Sequence, residues 1–324
     1  MATVAITDAT FPALDVEEEI LAAAGASVVR GTDPSPAGLA ALVATADAVI
    51  TQFARVDAGV IGAMERARVI VRYGIGVDNV DLDAARARGI PVCNVPDYCI
   101  DEVADHTLAF ILAATRQVVP NTLTIRDGRW GLATDLALMK TLRDQTVGLV
   151  GFGRIGREVA ARLAPFKCRR LVCDAFVPPD AIRAAGCEPV ALPELLAGST
   201  ILSLHCPSTP ATRRIIDAAA LARLPAGAIL VNLARGDLVD TAALVAALES
   251  GRLAAAAIDV CDPEPIPADS PLRRLPNVTV AAHVASASPT AVRTLRETAA
   301  RSAAAALRGE LPPSVVNGVT RPVG

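Results

Sequence analysis

The sequence predicts an α/β protein made of two parallel-sheet units. Three observations carry that prediction. Short apolar runs alternate with helical stretches, and parallel strands need a crossover between them. A glycine-spaced loop, Gly151-Phe152-Gly153-Arg154-Ile155-Gly156, opens a second alternation in mid-chain. The 324 residues suit two domains rather than one.

In the first unit, Val4–Ile6, Ser27–Val29, Ala48–Ile50, Val69–Val71 and Pro91–Cys93 read as strands. Val16–Ala24, Leu39–Ala44 and Leu82–Arg88 read as the helices between them, the first closed by Gly25. Asp101–Arg116 reads as a long helix with Val103, Thr107, Phe110, Ile111 and Ala114 on one face. Asp101 and Glu102 suit its N-terminus electrostatically. Residues 119–142 are less periodic and hold the only tryptophan, Trp130.

The second unit opens at Val147–Val150, a strand running into the glycine loop and then into a helix over Arg157–Leu163. Gly151 permits the sharp turn, Gly153 lets backbone amides approach a pyrophosphate, and Gly156 lets the helix pack on the strand. The helix N-terminus then faces the phosphates. The next strand, Arg170–Cys173, ends at Asp174, 18 residues after Gly156 and close to the place of an acid that holds an adenosine ribose. A glycine triplet alone also marks ordinary turns; the strand-turn-helix-strand-acid series makes a dinucleotide site the stronger reading. Later strands are expected at Ile201–Leu204, Ala228–Val231, Ala255–Ile258 and Val278–Val280. Ala291–Leu307 reads as an amphipathic surface helix, stopped by Gly309 and Pro312-Pro313.

Apolar residues make up 52% of the chain, enough for a sizeable core. A net charge of −3 with dispersed arginines, and lysine only at 140 and 167, argues against nucleic acid or an anionic membrane as main partner. The seven cysteines form no C-x-x-C, so free thiols and a cytoplasmic location are expected. Met1-Ala2-Thr3 leads directly into a strand, so no signal peptide is expected. No spacing matches a closed set of metal ligands, and no metal site is expected.

Ligands of open parallel sheets lie beyond the carboxyl ends of the strands. Arg235 follows strand 228–231 in a turn, where its planar fork suits a carboxylate or a polarised carbonyl. Glu264 follows strand 255–258 between Pro263 and Pro265, which disfavour helix there. His283 follows strand 278–280. A histidine beside a glutamate is a proton donor whose tautomer the carboxylate fixes. Each residue alone also reads as an ordinary surface ion pair, loop acid or buried histidine; three behind successive strands point to a site. His205 is the rival histidine, and His106, inside the long helix, is structural. In the first unit, Arg72-Tyr73-Gly74-Ile75-Gly76 exposes backbone N–H groups that suit an anion.

These residues resemble the D-isomer-specific 2-hydroxyacid dehydrogenase family. Arg72–Asp81, Asn94-Val95-Pro96, Gly151–Gly156, Asn232–Asp240, Asp259–Pro265 and His283 fall in that family's order and spacing, covering almost the whole chain. Residues 92–107 and those after His283 look most like the branch of the C-terminal-binding-protein corepressors and their dehydrogenase relatives. The resemblance implies two doubly wound domains: a Rossmann NAD-binding domain, residues 99–287, inserted into a flavodoxin-like substrate domain, residues 1–98 plus 288–324. It implies a homodimer formed through the cofactor domains, with catalysis in the cleft between the two domains of a chain. Roles fall on Arg235 (binding and polarising the keto acid), Glu264 (partner of the histidine) and His283 (proton donor). The substrate carboxylate would lie on the backbone of Tyr73, Gly74, Ile75 and Gly76. Cofactor contacts would be Gly151, Gly153, Arg154, Ile155, Gly156, Asp174, Cys206, Pro207, Leu233, Asp259, Val103 and Ile75.

Two positions depart from the pattern. Ala282 stands where the family has proline before the histidine, so a less rigid loop is expected. Ser286 stands where relatives carry glycine or a bulky aromatic. Tyr73, Tyr98, Cys99, Trp130 and Ser286 are expected to shape the pocket. The expected reaction is hydride transfer between NAD(H) and C2 of a small 2-keto or D-2-hydroxy acid, with Asp174 opposing the 2′-phosphate of NADP. The alternatives are an NAD(H)-sensing corepressor-like binding protein, and a 3-phosphoglycerate dehydrogenase, whose substrate needs a basic group such as Arg72.

Overall fold

A computed structural model of the chain describes residues 1–320. Two compact units divide it, one formed by Met1–Tyr98 with Ser288–Gly324 and the other by Cys99–Ala287.

The first unit holds strands β1 (Ala2–Ile6), β2 (Ala26–Arg30), β3 (Ala48–Thr51), β4 (Ile70–Arg72) and β5 (Val92–Cys93). They form one parallel sheet in the order β2-β1-β3-β4-β5, the flavodoxin-like order. β1, β3 and β4 are almost wholly buried, as strands covered by helices on both faces must be. The helix Ala58–Ala63 was not legible from periodicity, being six residues with two glycines; its one signal is Asp57, whose carboxylate accepts from Val60 N at 3.0 Å.

The helix Pro289–Leu307 does not ride on the surface as expected. Leu295, Ala299, Ala300, Ala303 and Ala306 are buried in the core of the first unit. Small side chains let its backbone come close to the helix Asp15–Ala23, and Arg296 turns inward. Its guanidinium meets the fully buried Glu17 carboxylate (Nη2–Oε2 2.6 Å) and stacks over the Phe11 ring. A charge taken out of water needs such a partner.

The second unit holds β6 (Thr146–Val150), β7 (Arg169–Cys173), β8 (Glu188–Pro189), β9 (Ile201–Leu204), β10 (Ala228–Asn232), β11 (Leu253–Ile258) and β12 (Val278–Val280). The sheet is parallel, ordered β12-β11-β10-β9-β6-β7-β8. That is the Rossmann order with one added strand, and its direction reverses between β6 and β9. The helix Ile100–Thr115 packs on the helix Arg154–Leu163. Arg162 bridges them, meeting Asp101, Asp105 and, within its own helix, Glu158. Among the described residues no single helix is long and apolar enough to cross a membrane.

Candidate active site

The glycine loop begins where β6 ends, at the point of strand-order reversal. Gly151 has φ +98° and donates its N–H to Cys173 O at 2.9 Å. A Cβ there would lie 2.7 Å from Cys206 N, so only glycine lets the β6 and β9 ends approach. A Cβ on Gly156 would lie 2.4 Å from Gly151 O, which sets how closely the helix follows the strand. At Gly153 a side chain would meet open space, so packing against this chain does not explain that glycine. It caps the helix Arg154–Leu163, with Arg154 exposed and Ile155 half-buried.

Asp174, at the end of β7, is held by backbone donors. Its Oδ2 accepts from Phe152 N at 2.6 Å; its Oδ1 accepts from Phe176 N and Val177 N at 2.8 and 2.9 Å. Burial opposes its charge. The three N–H groups and the nearby Arg157 outweigh that and hold the carboxyl below its usual range. A cavity of about 470 Å³ opens beside it, walled by Val177, Pro178, Ile182, Pro189 and Val190. An open glycine cradle, a helix N-terminus and a fixed carboxylate fit a dinucleotide.

Of the remaining expected cofactor contacts, Cys206 and Pro207 follow β9, and Leu233 (8% exposed) and Asp259 (2%) follow β10 and β11. Val103 lies on the helix that packs against β10 and β11. Burial pushes the Cys206 and Cys261 thiols up to about 11, so both stay protonated at neutral pH.

The catalytic candidates sit on three turns behind β10, β11 and β12. His283 Nδ1 lies 2.7 Å from Glu264 Oε1. Arg235 is half-buried and donates from Nη1 to Ala234 O at 2.7 Å. Its turn interlocks with the turn bearing Glu264, since a Cβ on Gly236 would fall 1.9 Å from Cys261 O.

His283 is left-handed, with φ +54°, a conformation that needs support from its surroundings. Asp259 supplies it. Its carbonyl accepts from His283 N at 2.7 Å, and its carboxylate accepts from Val284 N at 2.9 Å and Ala285 N at 2.8 Å. Three hydrogen bonds thus hold the backbone that follows Ala282. The rival His205 is partly buried with Nε2 2.9 Å from Ser203 Oγ, and desolvation pushes its imidazole down to about 4. His106 packs edge-on against Phe110.

In the first unit, Gly74 has φ +146° and a Cβ on it would strike the Arg72 guanidinium. The Gly74 carbonyl accepts from Val95 N, and the Ile75 carbonyl from Asn94 Nδ2 at 2.6 Å. Gly76 follows on the same half-exposed turn. The Tyr73 side chain is no pocket wall. It is 1% exposed and its hydroxyl donates to Glu17 Oε1 at 2.8 Å, because it points into the apolar core, where it needs an acceptor. Trp130 is 94% exposed. Cys99 is buried, while Tyr98 and Ser286 are half-buried.

Residues 108–285, more than half of the chain, match the model of the D-isomer specific 2-hydroxyacid dehydrogenase NAD-binding domain. A glyoxylate reductase of Korarchaeum cryptofilum is 40% identical over 264 residues, 81% of this chain and 80% of that one. The chain belongs to the D-isomer-specific 2-hydroxyacid dehydrogenase family. A D-3-phosphoglycerate dehydrogenase of Mycobacterium leprae is 40% identical over 303 residues, 93% of this chain; the chain spans only 57% of that relative's length. The solved D-lactate dehydrogenase of Aquifex aeolicus, complexed with NAD and lactic acid, superposes with a TM-score of 0.85 at 26% identity, covering 95% of this chain and 96% of that one. These relatives support the family and not its corepressor-like branch in particular.

Two site residues escaped the sequence reading. Asn232 was passed over, and Asp259 was read only as a cofactor contact. Their one signal is a buried polar side chain at the end of an apolar strand.

Proposed function

We propose that this family member is an NAD-dependent dehydrogenase that interconverts a small 2-keto acid and its D-2-hydroxy acid. The observation that carries the reading is the 2.7 Å pair of Glu264 and His283, in the same sheet as the glycine cradle and Asp174. NAD(H), when bound, supplies or takes up the hydride. Gly153, open and exposed, would admit its pyrophosphate to the backbone at the helix N-terminus, Gly151 and Gly156 shape the turn that allows this, and Asp174 would hold the adenosine ribose. Glu264 fixes His283 through Nδ1, which directs Nε2 to the C2 oxygen. In reduction His283 gives that oxygen a proton, and in oxidation it takes one away. Arg235 binds the carboxylate and polarises the carbonyl. The negative charge of Asp174 opposes a 2′-phosphate and favours NAD over NADP.

The test follows NADH and NADPH oxidation side by side with glyoxylate, pyruvate and 3-phosphohydroxypyruvate. Turnover of at least one keto acid with NADH is expected. No turnover with any, or NADPH preferred, would overturn the reading.

The same reading makes the protein a homodimer. Supporting it, Val118, Leu123, Ile125, Trp130, Leu132 and Leu136 are all more than 40% exposed within one short stretch of the second unit, an apolar surface of the kind that marks an interface. Sedimentation of the wild type and of Trp130→Glu with Leu136→Glu tests it; a monomeric wild type refutes it. Among the described residues no cysteine pairs in a disulfide, which supports a cytoplasmic location.

A further inference from the structure

Asn232 and Asp259 are 1% and 2% exposed, and neither has a part in the proton transfer above. Asn232 ends β10, Asp259 directly follows β11, and each spends its side chain on backbone. Asn232 Oδ1 accepts from Ala234 N at 3.1 Å, and its Nδ2 donates to Arg235 O at 2.8 Å. The amide therefore spans the turn on which Arg235 sits and sets where that guanidinium begins. Asp259 holds the His283 turn by the three bonds already described. The two residues are joined, because Asp259 N donates to Asn232 O at 3.0 Å. One unbroken series of hydrogen bonds thus runs from the Arg235 carbonyl to the His283 backbone.

We propose that Asn232 is a positioning residue for the reaction: it fixes the Arg235 turn and keeps it in register, through Asp259, with the turn that carries His283. The inference rests on the dehydrogenase reading. An amide suits the turn because its two terminal atoms, one an acceptor and one a donor, meet Ala234 N and the Arg235 carbonyl at the same time. Asparagine has the shorter reach that a three-residue span requires. Aspartate keeps an acceptor for Ala234 N but has no donor for Arg235 O, and the single, shorter hydroxyl of serine does not span both groups.

The test compares Asn232→Asp and Asn232→Ser with wild type in three measurements. Keto-acid kinetics should show KM raised and kcat lowered, with kcat/KM down about 10²-fold, as for a catalytic group displaced by about 1 Å. NADH affinity, from nucleotide fluorescence, should stay within about twofold of wild type. The ¹⁵Nε–¹H resonance of Arg235, assigned with Arg235→Lys, should move. Wild-type kcat/KM, or an unmoved Arg235 resonance, in a variant that binds NADH would overturn the proposal. So would activity and NADH affinity lost together in both variants, which marks a merely structural residue. If the wild type turns over no keto acid, the dehydrogenase reading fails, and the Arg235 resonance still decides whether Asn232 sets the turn.

Discussion

Glu264 Oε1 lies 2.7 Å from His283 Nδ1 although 19 residues separate them in the chain. In the proposed reaction the carboxylate fixes the orientation and tautomer of the ring. His283→Asn keeps the ring-sized polar group but cannot exchange a proton, so kcat should fall about 10²- to 10⁴-fold with NADH affinity little changed. Glu264→Gln keeps a hydrogen-bond acceptor and should cost less than His283→Asn. Steady-state kinetics with the best keto acid checks both; a His283→Asn variant with wild-type kcat refutes the assignment.

The Gly236–Cys261 contact makes a sharper steric prediction. An alanine at 236 would put its Cβ 1.9 Å from Cys261 O and 2.0 Å from Cys261 C. Both are backbone atoms, so one turn must move. Gly236→Ala should lower kcat/KM by about 10²-fold and stability by about 1–3 kcal/mol. Kinetics and urea unfolding measure the two effects.

His205 gives a pH dependence of stability. Its imidazole is pushed from 6.5 to about 4 by desolvation, so between those values the unfolded chain binds a proton that the folded one does not. Stability should therefore fall as pH drops from 6.5 towards 4, by about 3 kcal/mol from this group, and level off below. His205→Gln lacks that term. Its urea midpoint, compared with wild type at pH 7 and pH 4.5, should lose less on acidification.

Glu17 is fully buried and accepts from Tyr73 Oη and from Arg296 Nε and Nη2. Glu17→Ala takes the buried carboxylate from Arg296, which is 12% exposed and keeps as acceptors only the outer Asp15 carboxylate and the Ala13 carbonyl, and should cost about 3 kcal/mol. Urea unfolding should show a lower midpoint, with NADH affinity unchanged before the transition.

Much of this was legible in the sequence because its signals are local. The glycine spacing, Asp174 at its interval, and Arg235, Glu264 and His283 just after apolar runs all announce themselves within a few residues. What stayed hidden depends on register between distant strands. Asp259 supports the His283 turn only because β11 and β12 pair as Ile258 with Val280. Tyr73 was misjudged for a related reason: its acceptor, Glu17, lies 56 residues away. The Arg/Ala helix misled because alanine reads as surface or core alike, and only packing decides.

The first unit draws its core from both sides of an intervening 99–287 segment. Leu295, Ala299, Ala300 and Ala303 share a buried cluster with Val4, Ile6 and Val71. A ribosome makes those two sets more than 200 residues apart. The amino-terminal sheet must therefore wait with an apolar face uncovered while the middle of the chain is made and folds. Order of synthesis and order of completion are reversed: the unit begun first is finished last, and a nascent chain is most exposed to aggregation just before Pro289–Leu307 leaves the exit tunnel.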